Sequence, residues 1–173
     1  MQFRDYTHWH LIGIKGAGMT ALAELLRGMG KQVTGSDRAE VFYTDEILKR
    51  LQITVMTPFD PANLPKAADI FVYSTAYTPE NNAELAQALA SGTPVWSYPE
   101  ALGALTQEKM TLAVCGTHGK TTTSALLADV LRVAGTDPSA IIGSEIRSWG
   151  GSALVGQGPY FVIEADEYQN KLA

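Results

Sequence analysis

A glycine-rich segment followed by a lysine and three threonines is the part of this sequence best suited to chemistry. It runs Gly116-Thr117-His118-Gly119-Lys120-Thr121-Thr122-Thr123. Glycines let backbone N–H groups approach phosphate oxygens, and the start of a helix adds partial positive charge. A lysine supplies a mobile positive charge, and a threonine hydroxyl can ligate Mg2+. The segment therefore predicts a binding site for a nucleoside triphosphate.

The residue types within this segment, residues 116–123, which we name the second loop, predict individual roles. Lys120 is expected on the β and γ phosphates, Thr121 on Mg2+, and His118 beside phosphate or a neighbouring substrate. The general phosphate-loop pattern has a glycine five residues before Gly119, where this chain has Val114, so a shorter variant is predicted. The alternative is a glycine turn between a strand and a helix that carries a lysine by chance.

An acidic cluster follows the last apolar run of the sequence. Residues 160–163 indicate a buried strand, and Glu164, Asp166 and Glu167 stand where it ends. Mg2+ in a phosphate site commonly takes a carboxylate from a neighbouring strand of the same sheet. Glu164 is therefore the first candidate for a metal ligand or a residue that holds a water. An acidic strand end by itself is more often a solvated turn.

Another glycine pattern, which we name the first loop, lies at Gly13-Ile14-Lys15-Gly16-Ala17-Gly18-Met19-Thr20. Its spacing is G-x-x-G-x-G rather than the G-x-G-x-x-G of dinucleotide-binding proteins, and Asp37 follows at the end of the next predicted strand. Both patterns place a diphosphate on a helix N-terminus and a carboxylate near a ribose hydroxyl. The alternative is a tight turn that only packs the helix. Residues 74–76 end another strand at the ligand-binding edge of the sheet, or form an ordinary polar turn.

Strands and helices alternate along the chain, which predicts an α/β fold with a parallel sheet and helices on its faces. Rising polarity at residues 107–109 places a domain boundary there. We expect a Rossmann-like domain at residues 1–107 and the first part of a phosphate-loop ATPase domain at residues 108–173. The short strand predicted at 140–142 and the glycine-rich loop predicted at 148–152 belong to the second part. Such a domain usually needs more strands, so the chain is expected to be the front part of a longer protein.

Composition excludes several classes of function. The 173 residues are 46% hydrophobic and carry a net charge of -5 without a run of Lys or Arg, which argues against nucleic acid as a partner. No apolar stretch has the length of a membrane span or a signal peptide, so we expect no membrane insertion and a cytoplasmic location. The single cysteine, Cys115, is expected to be a small buried residue at a strand end.

Together these motifs resemble the Mur ligase family, the ATP-dependent amide-forming enzymes of peptidoglycan synthesis. The matching segments are residues 13–20, 35–37, 74–76, 116–123 and 164–167. The resemblance implies three domains, of which this chain would hold the first and less than half of the second, and would be inactive alone. It implies no particular oligomeric state.

The resemblance also implies which ligand each loop binds. The implied ATP-binding residues are Gly116, Thr117, His118, Gly119, Lys120, Thr121 and Thr122. Catalytic roles fall to Lys120, Thr121, Glu164 and His118, with Mg2+ on Thr121 and Glu164. The implied residues for UDP-N-acetylmuramate are Gly13, Lys15, Gly16, Ala17, Gly18, Met19, Asp37, Ser74, Thr75 and Ala76. The amine would be L-alanine, joined to the sugar through an acyl phosphate.

Two alternatives to this interpretation stay open. One branch of the family attaches a recycled tripeptide to UDP-N-acetylmuramate, and it too has a histidine in the second loop. Tyr168 matches this branch better, because the L-alanine branch is expected to have a serine there. Residues 74–81 are more similar to the L-alanine branch. Tyr98 stands where the L-alanine branch typically has a basic residue. From another class, an NAD-binding regulatory module would use the first loop for NAD and the second only as a turn.

Overall fold

The computed structural model of the protein describes residues 3–165, which form two β-sheets and five α-helices. The strands are β1 (His8–Ile12), β2 (Gln32–Ser36), β3 (Thr54–Met56), β4 (Ile70–Tyr73), β5 (Val95–Ser97), β6 (Met110–Val114), β7 (Ser139–Ile146), β8 (Gly151–Leu154) and β9 (Tyr160–Glu164). The helices are α1 (Ala17–Gly28), α2 (Asp45–Arg50), α3 (Ala83–Ala90), α4 (Tyr98–Glu108) and α5 (Lys120–Val133), with 3-10 turns at Phe3–Asp5 and Pro61–Asn63. Asp166, Glu167 and Tyr168 lie outside the described residues.

The first sheet is entirely parallel and has the strand order β3-β2-β1-β4-β5. All five residues of β1 are buried, as expected for a central parallel strand with both faces covered. The strand order reverses between β1 and β4, and open α/β sheets bind ligands at such a switch point. The predicted α/β class with a Rossmann-like sheet is confirmed.

The second sheet has the strand order β6-β9-β7-β8 and is mixed, because β8 runs antiparallel to β7. The prediction of a loop over residues 148–152 is wrong at its end, since β8 begins at Gly151. Glycine and alanine have low strand propensity, which hides this strand in the sequence. The β7 strand is also longer than the predicted residues 140–142, because pairing with β8 extends it to Ile146.

Helix α1 packs against both sheets. One hydrophobic cluster contains apolar residues of α1 together with residues of both sheets: Leu22, Leu25, Leu26, Leu11, Ile70, Ile141, Phe161 and Ile163. The buried carboxylate of Glu24 on α1 accepts hydrogen bonds from the backbone N–H groups of Ser152 and Ala153 in β8, at 2.7 and 3.1 Å. The two sheets therefore share a core and a polar link through the helix that follows the first loop.

Helix α5 packs against the second sheet with one face and presents an apolar stripe on the other. Leu126, Val130 and Val133 are 61%, 64% and 86% exposed, at spacings that place them on the same helix face. Within residues 3–165, none of the helices combines the length and the apolar character that a membrane crossing needs.

Candidate functional site

The first loop turns the chain from β1 into α1 at the switch point of the first sheet. Gly13 has a φ of +84°, a left-handed conformation that favours glycine. Its N–H and that of Ile14 donate to the carbonyl of Ser36 at 2.9 and 3.2 Å. Gly16 is the N-cap of α1, and no side chain caps the helix. Because Gly16 and Ala17 are exposed, the first turn of α1 can offer its free N–H groups to a diphosphate.

Lys15 and Asp37 brace this turn from inside the protein. Asp37 accepts the backbone N–H groups of Lys15 and Arg38, both at 2.7 Å, and is 3% exposed. The Lys15 ammonium donates to the carbonyls of Arg38 and Glu40 at 3.2 and 2.8 Å and lies 3.1 Å from Oδ1 of Asp45. All three donors of Lys15 are thus engaged, whereas the Asp37 carboxylate keeps acceptor capacity for a ribose hydroxyl.

The segment after β4 brings Tyr77, which belongs to none of the sequence motifs, against the first loop. Residues 74–76, predicted to bind the UDP sugar, are half-buried or exposed at this edge. The ring of Tyr77 lies so near Gly13 that a Cβ there would be 2.7 Å from its Cε2, and its hydroxyl is 3.5 Å from Oδ1 of Asp37. Burial and the negative charge of Asp37 raise the pKa of Tyr77. The phenol therefore stays a neutral hydrogen-bond donor at the mouth of the site.

The second loop connects β6 to α5 at the surface of the protein. Gly116 has a φ of +143°, and Gly119, with a φ of +76°, is the N-cap of α5. The Lys120 ammonium donates to the carbonyl of Gly116 at 2.8 Å, so its positive charge lies within the loop. Cys115, expected to be buried, is exposed like the rest of the turn, because β6 is an edge strand that ends there.

The hydroxyl and imidazole groups of the second loop are accessible from solvent. Thr117, His118 and Thr122 are exposed and Thr121 is half-buried. Nδ1 of His118 lies 3.3 Å from Oγ1 of Thr117. These side chains surround the free N-terminus of α5, which is the arrangement that suits the oxygens of a polyphosphate.

Glu164 stands beside the second loop because β6 and β9 are parallel neighbours. Their register pairs Val114 with Glu164, and the N–H of Ala165 donates to the Val114 carbonyl at 2.9 Å. Oε1 of Glu164 is buried and has no hydrogen-bond partner among residues 3–165, while Oε2 lies against Gly143 of β7. An unpaired buried carboxylate oxygen is unfavourable unless a cation or donor joins it. Glu164 therefore fits the role of a metal ligand next to the threonines of the second loop.

Tyr98, the first residue of α4, lies against the first loop. The preceding residue, Ser97, forms a capping box with Glu100 that fixes the start of α4. A Cβ at Gly18 would be 2.9 Å from both Cζ and the hydroxyl oxygen of Tyr98, so the ring packs against Gly18 and leaves Gly16 and Ala17 exposed. Burial, and in second place the negative charge of Glu164, raise the pKa of Tyr98. The spacing of the sequence carries no signal for this placement.

The predicted residues thus form two separate groups. First-loop residues gather at the edge of the first sheet with Asp37 and residues 74–76, apart from Met19, which is buried in the core. Second-loop residues lie with Glu164 at the carboxyl ends of β6 and β9 in the second sheet. No group of three or more His, Cys, Asp or Glu side chains within residues 3–165 has the arrangement of a metal cluster, so a metal here would depend on Glu164, hydroxyls and phosphate.

Known proteins are similar to this chain in both sequence and fold. Residues 8–110 match the family model described as "Mur ligase family, catalytic domain". A UDP-N-acetylmuramate–L-alanine ligase of Treponema pallidum is 47% identical over 161 residues, which cover 92% of this chain and 34% of that protein. The chain therefore spans about a third of the length of the curated relatives it matches.

Two solved structures support the same relationship. A UDP-N-acetylmuramate:L-alanyl-γ-D-glutamyl-meso-diaminopimelate ligase from Neisseria meningitidis superposes with a TM-score of 0.83 at 36% identity, over 94% of this chain and 53% of that one. A UDP-N-acetylmuramate-alanine ligase from Thermotoga maritima gives a TM-score of 0.79 at 28% identity, over 91% of this chain and 37% of that one.

Proposed function

The chain belongs to the Mur ligase family, and on that premise we propose that it is the nucleotide-binding front part of an ATP-dependent ligase that joins L-alanine to UDP-N-acetylmuramate. Residues 1–107 would bind the UDP sugar and residues 108–173 would begin the ATPase domain. Curated relatives that carry the name of an L-alanine ligase, at 42–47% identity, support this substrate. Because the reaction consumes ATP, we place it in the cytoplasm.

The observation that carries the proposal is the pair of open loops in one folded unit. Each loop follows a parallel strand and leads into a helix without a side-chain cap. Each also has exposed residues just before or at the helix start, Gly16 and Ala17 in the first loop and residues 116–119 in the second. Two such loops allow one chain to hold a diphosphate and a triphosphate at the same time. This is what a reaction between a UDP sugar and ATP requires, and a module that binds only NAD would have no use for the second loop.

In the proposed reaction a carboxylate oxygen of the UDP sugar attacks the γ phosphorus of ATP. The bond from that phosphorus to the β–γ bridging oxygen breaks, ADP leaves, and an acyl phosphate forms. The amine of L-alanine then attacks the acyl carbon, losing a proton as phosphate departs and the amide forms. Since the first step joins two anions, its barrier is largely electrostatic, and the Lys120 ammonium in the second loop would lower it by binding the phosphoryl oxygens.

Thr121 and Glu164 are the residues that would hold Mg2+. The buried and unpaired Oε1 of Glu164 fits a cation, and the threonine hydroxyl supplies a second oxygen, which is the ligand type that Mg2+ prefers. When bound, Mg2+ would neutralise charge on the phosphates. The protein's share is to orient these two oxygens at the ends of neighbouring elements, β9 and α5.

A tripeptide is the second candidate for the amine substrate. The Neisseria ligase named above for a peptide substrate superposes with a higher TM-score and identity than the Thermotoga alanine ligase. The two candidates share the UDP sugar, ATP and both loops. They differ only in what the rest of the longer protein binds.

The decisive experiment supplies the full-length ligase with UDP-N-acetylmuramate, ATP and Mg2+, together with either L-alanine or the tripeptide. Phosphate release and the mass of the product report ligation, and we expect product with L-alanine. Product with the tripeptide alone would replace the first candidate by the second. No product with either amine, together with thermal stabilisation by NAD but not by UDP, would overturn the proposed function.

A further inference from the structure

We propose that a buried polar network beside the first loop holds one excess proton, and that this proton keeps Ser36 in place against Gly13 and Ile14. We name it the histidine network, and its side chains are those of His8 and His10 in β1, Thr34 and Ser36 in β2, and Glu84 in α3. His10, Ser36 and Glu84 are 0% exposed. None of these side chains takes part in the reaction described above.

The contacts of the two imidazole rings form a chain across β1 and β2. Nδ1 of His8 lies 3.1 Å from the carbonyl oxygen of Ala67, and its Nε2 lies 3.1 Å from Oγ1 of Thr34. The same Oγ1 is 3.0 Å from Nδ1 of His10. Nε2 of His10 completes the chain at 3.2 Å from Oε1 of Glu84. Both histidines therefore use both ring nitrogens, with the threonine hydroxyl between them.

These four contacts need one proton more than the groups carry in their ordinary neutral or ionised forms. Each hydrogen bond contains one proton. Two neutral imidazoles supply one each, the threonine hydroxyl supplies one, and an ionised carboxylate supplies none. Without a further proton, two lone pairs would face each other at one contact inside the protein, which is unfavourable. The geometry therefore assigns one excess proton to the histidine network.

The surroundings of Glu84 place this proton on the histidines. Its Oε1 accepts a hydrogen bond from the Ser36 hydroxyl in addition to the contact with His10. Its Oε2 accepts from the backbone N–H of Asp60 at 3.0 Å and from Nδ2 of Asn63 at 3.3 Å. The Asp60 carboxylate itself accepts an N–H of the turn that follows. With four donors around it the Glu84 carboxylate is ionised, so the excess proton makes one of the two imidazoles positively charged.

The charges around the histidine network agree with one imidazolium. Its positive charge balances the buried Glu84 carboxylate, so the network is neutral as a whole and avoids the cost of an unpaired buried charge. At the opposite end, Oδ2 of Asp69 accepts the backbone N–H of His8 at 2.8 Å. The N–H donors of His8 and Thr7 lower the pKa of Asp69, with smaller contributions from the charges of His8 and Lys31. Asp69 is therefore ionised and favours a positive charge on the neighbouring ring.

The histidine network reaches the first loop through Ser36. The Ser36 hydroxyl donates to Glu84, while its backbone carbonyl accepts the N–H groups of Gly13 and Ile14 at 2.9 and 3.2 Å. Ser36 is also the last residue of β2 and is in register with Ile12 of β1. If the excess proton leaves, one contact between the strands has to open. We therefore expect the end of β2 to shift and the bonds that hold the first loop to weaken.

The first test counts ring protons by NMR on the 173-residue chain, labelled with 15N-histidine, at neutral pH. We expect three N–H protons in total on His8 and His10. Thr34→Val keeps the size of the side chain but leaves only the contacts with Ala67 and Glu84, so two N–H protons are expected. Thr54→Val, at an exposed threonine paired with Thr34 in β3, is the matched control and should keep three. Two protons in the wild type, or three in Thr34→Val, would overturn the excess proton.

Amide hydrogen exchange of Gly13 and Ile14 tests the link to the first loop without a ligand. Glu84→Gln removes the charge that the imidazolium balances, and Thr34→Val removes the hydroxyl between the rings. Each is expected to speed exchange of these two amides by about fivefold, whereas Thr54→Val should leave it unchanged. Exchange at the wild-type rate in both network variants would show that the histidine network does not hold the loop.

A pH profile of UDP affinity, measured by calorimetry on the same chain, separates the proton from a purely structural role. This arm rests on the proposed function, because it takes the first loop as the UDP site. As the pH rises through the value at which NMR shows the excess proton leaving, the ratio of Kd for the wild type to Kd for Thr34→Val is expected to rise about fivefold. A ratio independent of pH would overturn the role of the proton. A wild-type chain that binds NAD and not UDP would refute the proposed function, while the proton count and the amide exchange would still decide the inference.

Discussion

The two loops share one design, a glycine turn between a parallel strand and a helix, but their lysines have opposite surroundings. Lys15 in the first loop is 6% exposed and directs its ammonium to two carbonyls of the segment between β2 and α2 and to the carboxylate of Asp45 at the start of α2. Lys120 in the second loop directs its ammonium to the carbonyl of Gly116 in its own turn. Lys15 therefore stabilises the structure of its site, whereas Lys120 lies on the surface that a ligand would contact.

This difference separates two ways of building a phosphate site. The first loop is fixed by groups of β2, of α2 and of the residues that follow β2 and β4, so its exposed N–H groups are already arranged and a ligand needs little reordering. In the second loop, the carbonyl that holds Lys120 belongs to an exposed residue, and water can replace the ammonium there at little free-energy cost. Lys120 is thus free to move to a phosphate, and Lys15 is not.

The largest expected effect is on turnover, from Lys120→Ala in the full-length ligase. Removing the charge that meets the phosphoryl oxygens is expected to lower kcat by on the order of 10²–10³, while the UDP-sugar affinity stays the same. Because Lys120 holds only an exposed carbonyl, the free energy of unfolding should change by no more than about 0.5 kcal/mol. Steady-state kinetics and chemical denaturation measure both. Lys66→Ala, an exposed lysine away from the loops, is the charge-matched control.

The opposite pattern is expected for Lys15→Ala. Its loss leaves two carbonyls and the Asp45 carboxylate without their charged donor, which is expected to lower the free energy of unfolding by about 2–3 kcal/mol. Lys15→Met keeps the aliphatic stem and should lose nearly as much, which separates charge from packing. Urea denaturation of the 173-residue chain measures this. Wild-type stability in both variants would show that the two lysines are equivalent after all.

A smaller contrast is expected between one left-handed glycine of each loop, Gly13 and Gly119. Gly13→Ala adds a Cβ at 2.7 Å from the Tyr77 ring and 3.0 Å from Ser74 Cβ, in addition to backbone strain, and is expected to destabilise by about 2–4 kcal/mol. Gly119→Ala meets nothing within 4 Å, so only the strain remains, about 1–2 kcal/mol. Thermal unfolding of the two variants side by side provides the measurement. Equal losses would mean that the first loop is no more tightly packed than the second.

The same contrast explains which features of the fold and the site could be predicted from the sequence. Residue types and spacing were sufficient to predict the alternation of strands and helices and the two loops, because these depend on local patterns. They also placed Glu164 near the strand that enters the second loop, because parallel strands end at the same edge of a sheet. The burial of Lys15 could not be predicted, since two of its three partners, Arg38 and Glu40, lie in a segment without a regular pattern. The positions of Tyr77 beside Gly13 and of Tyr98 beside Gly18 could not be predicted either, because long-range packing alone brings these residues together.

The smallest expected effect concerns Glu24, which ties the helix of the first loop to β8 of the second sheet. Burial raises the pKa of Glu24 in the folded protein above its ordinary value of 4.5, outweighing the N–H donors of Ser152 and Ala153 and the charge of Arg50. The folded state then binds the proton more tightly than the unfolded state. The stability that Glu24 contributes in its protonated form is therefore present at pH values below 4.5 and is lost as the pH rises through the folded-state pKa.

Glu24→Gln remains neutral at every pH and should lack this loss. The difference in free energy of unfolding, wild type minus variant, is expected to fall as the pH rises from about 4.5 toward neutrality, within about 1 kcal/mol in total, since the amide oxygen still accepts a hydrogen bond from β8. Denaturant titrations of both proteins at several pH values measure this difference. A difference that rises with pH would mean that the ionised carboxylate is better paired with β8 and Arg50 than with water. The link between the two loop-bearing sheets would then be an ionic one.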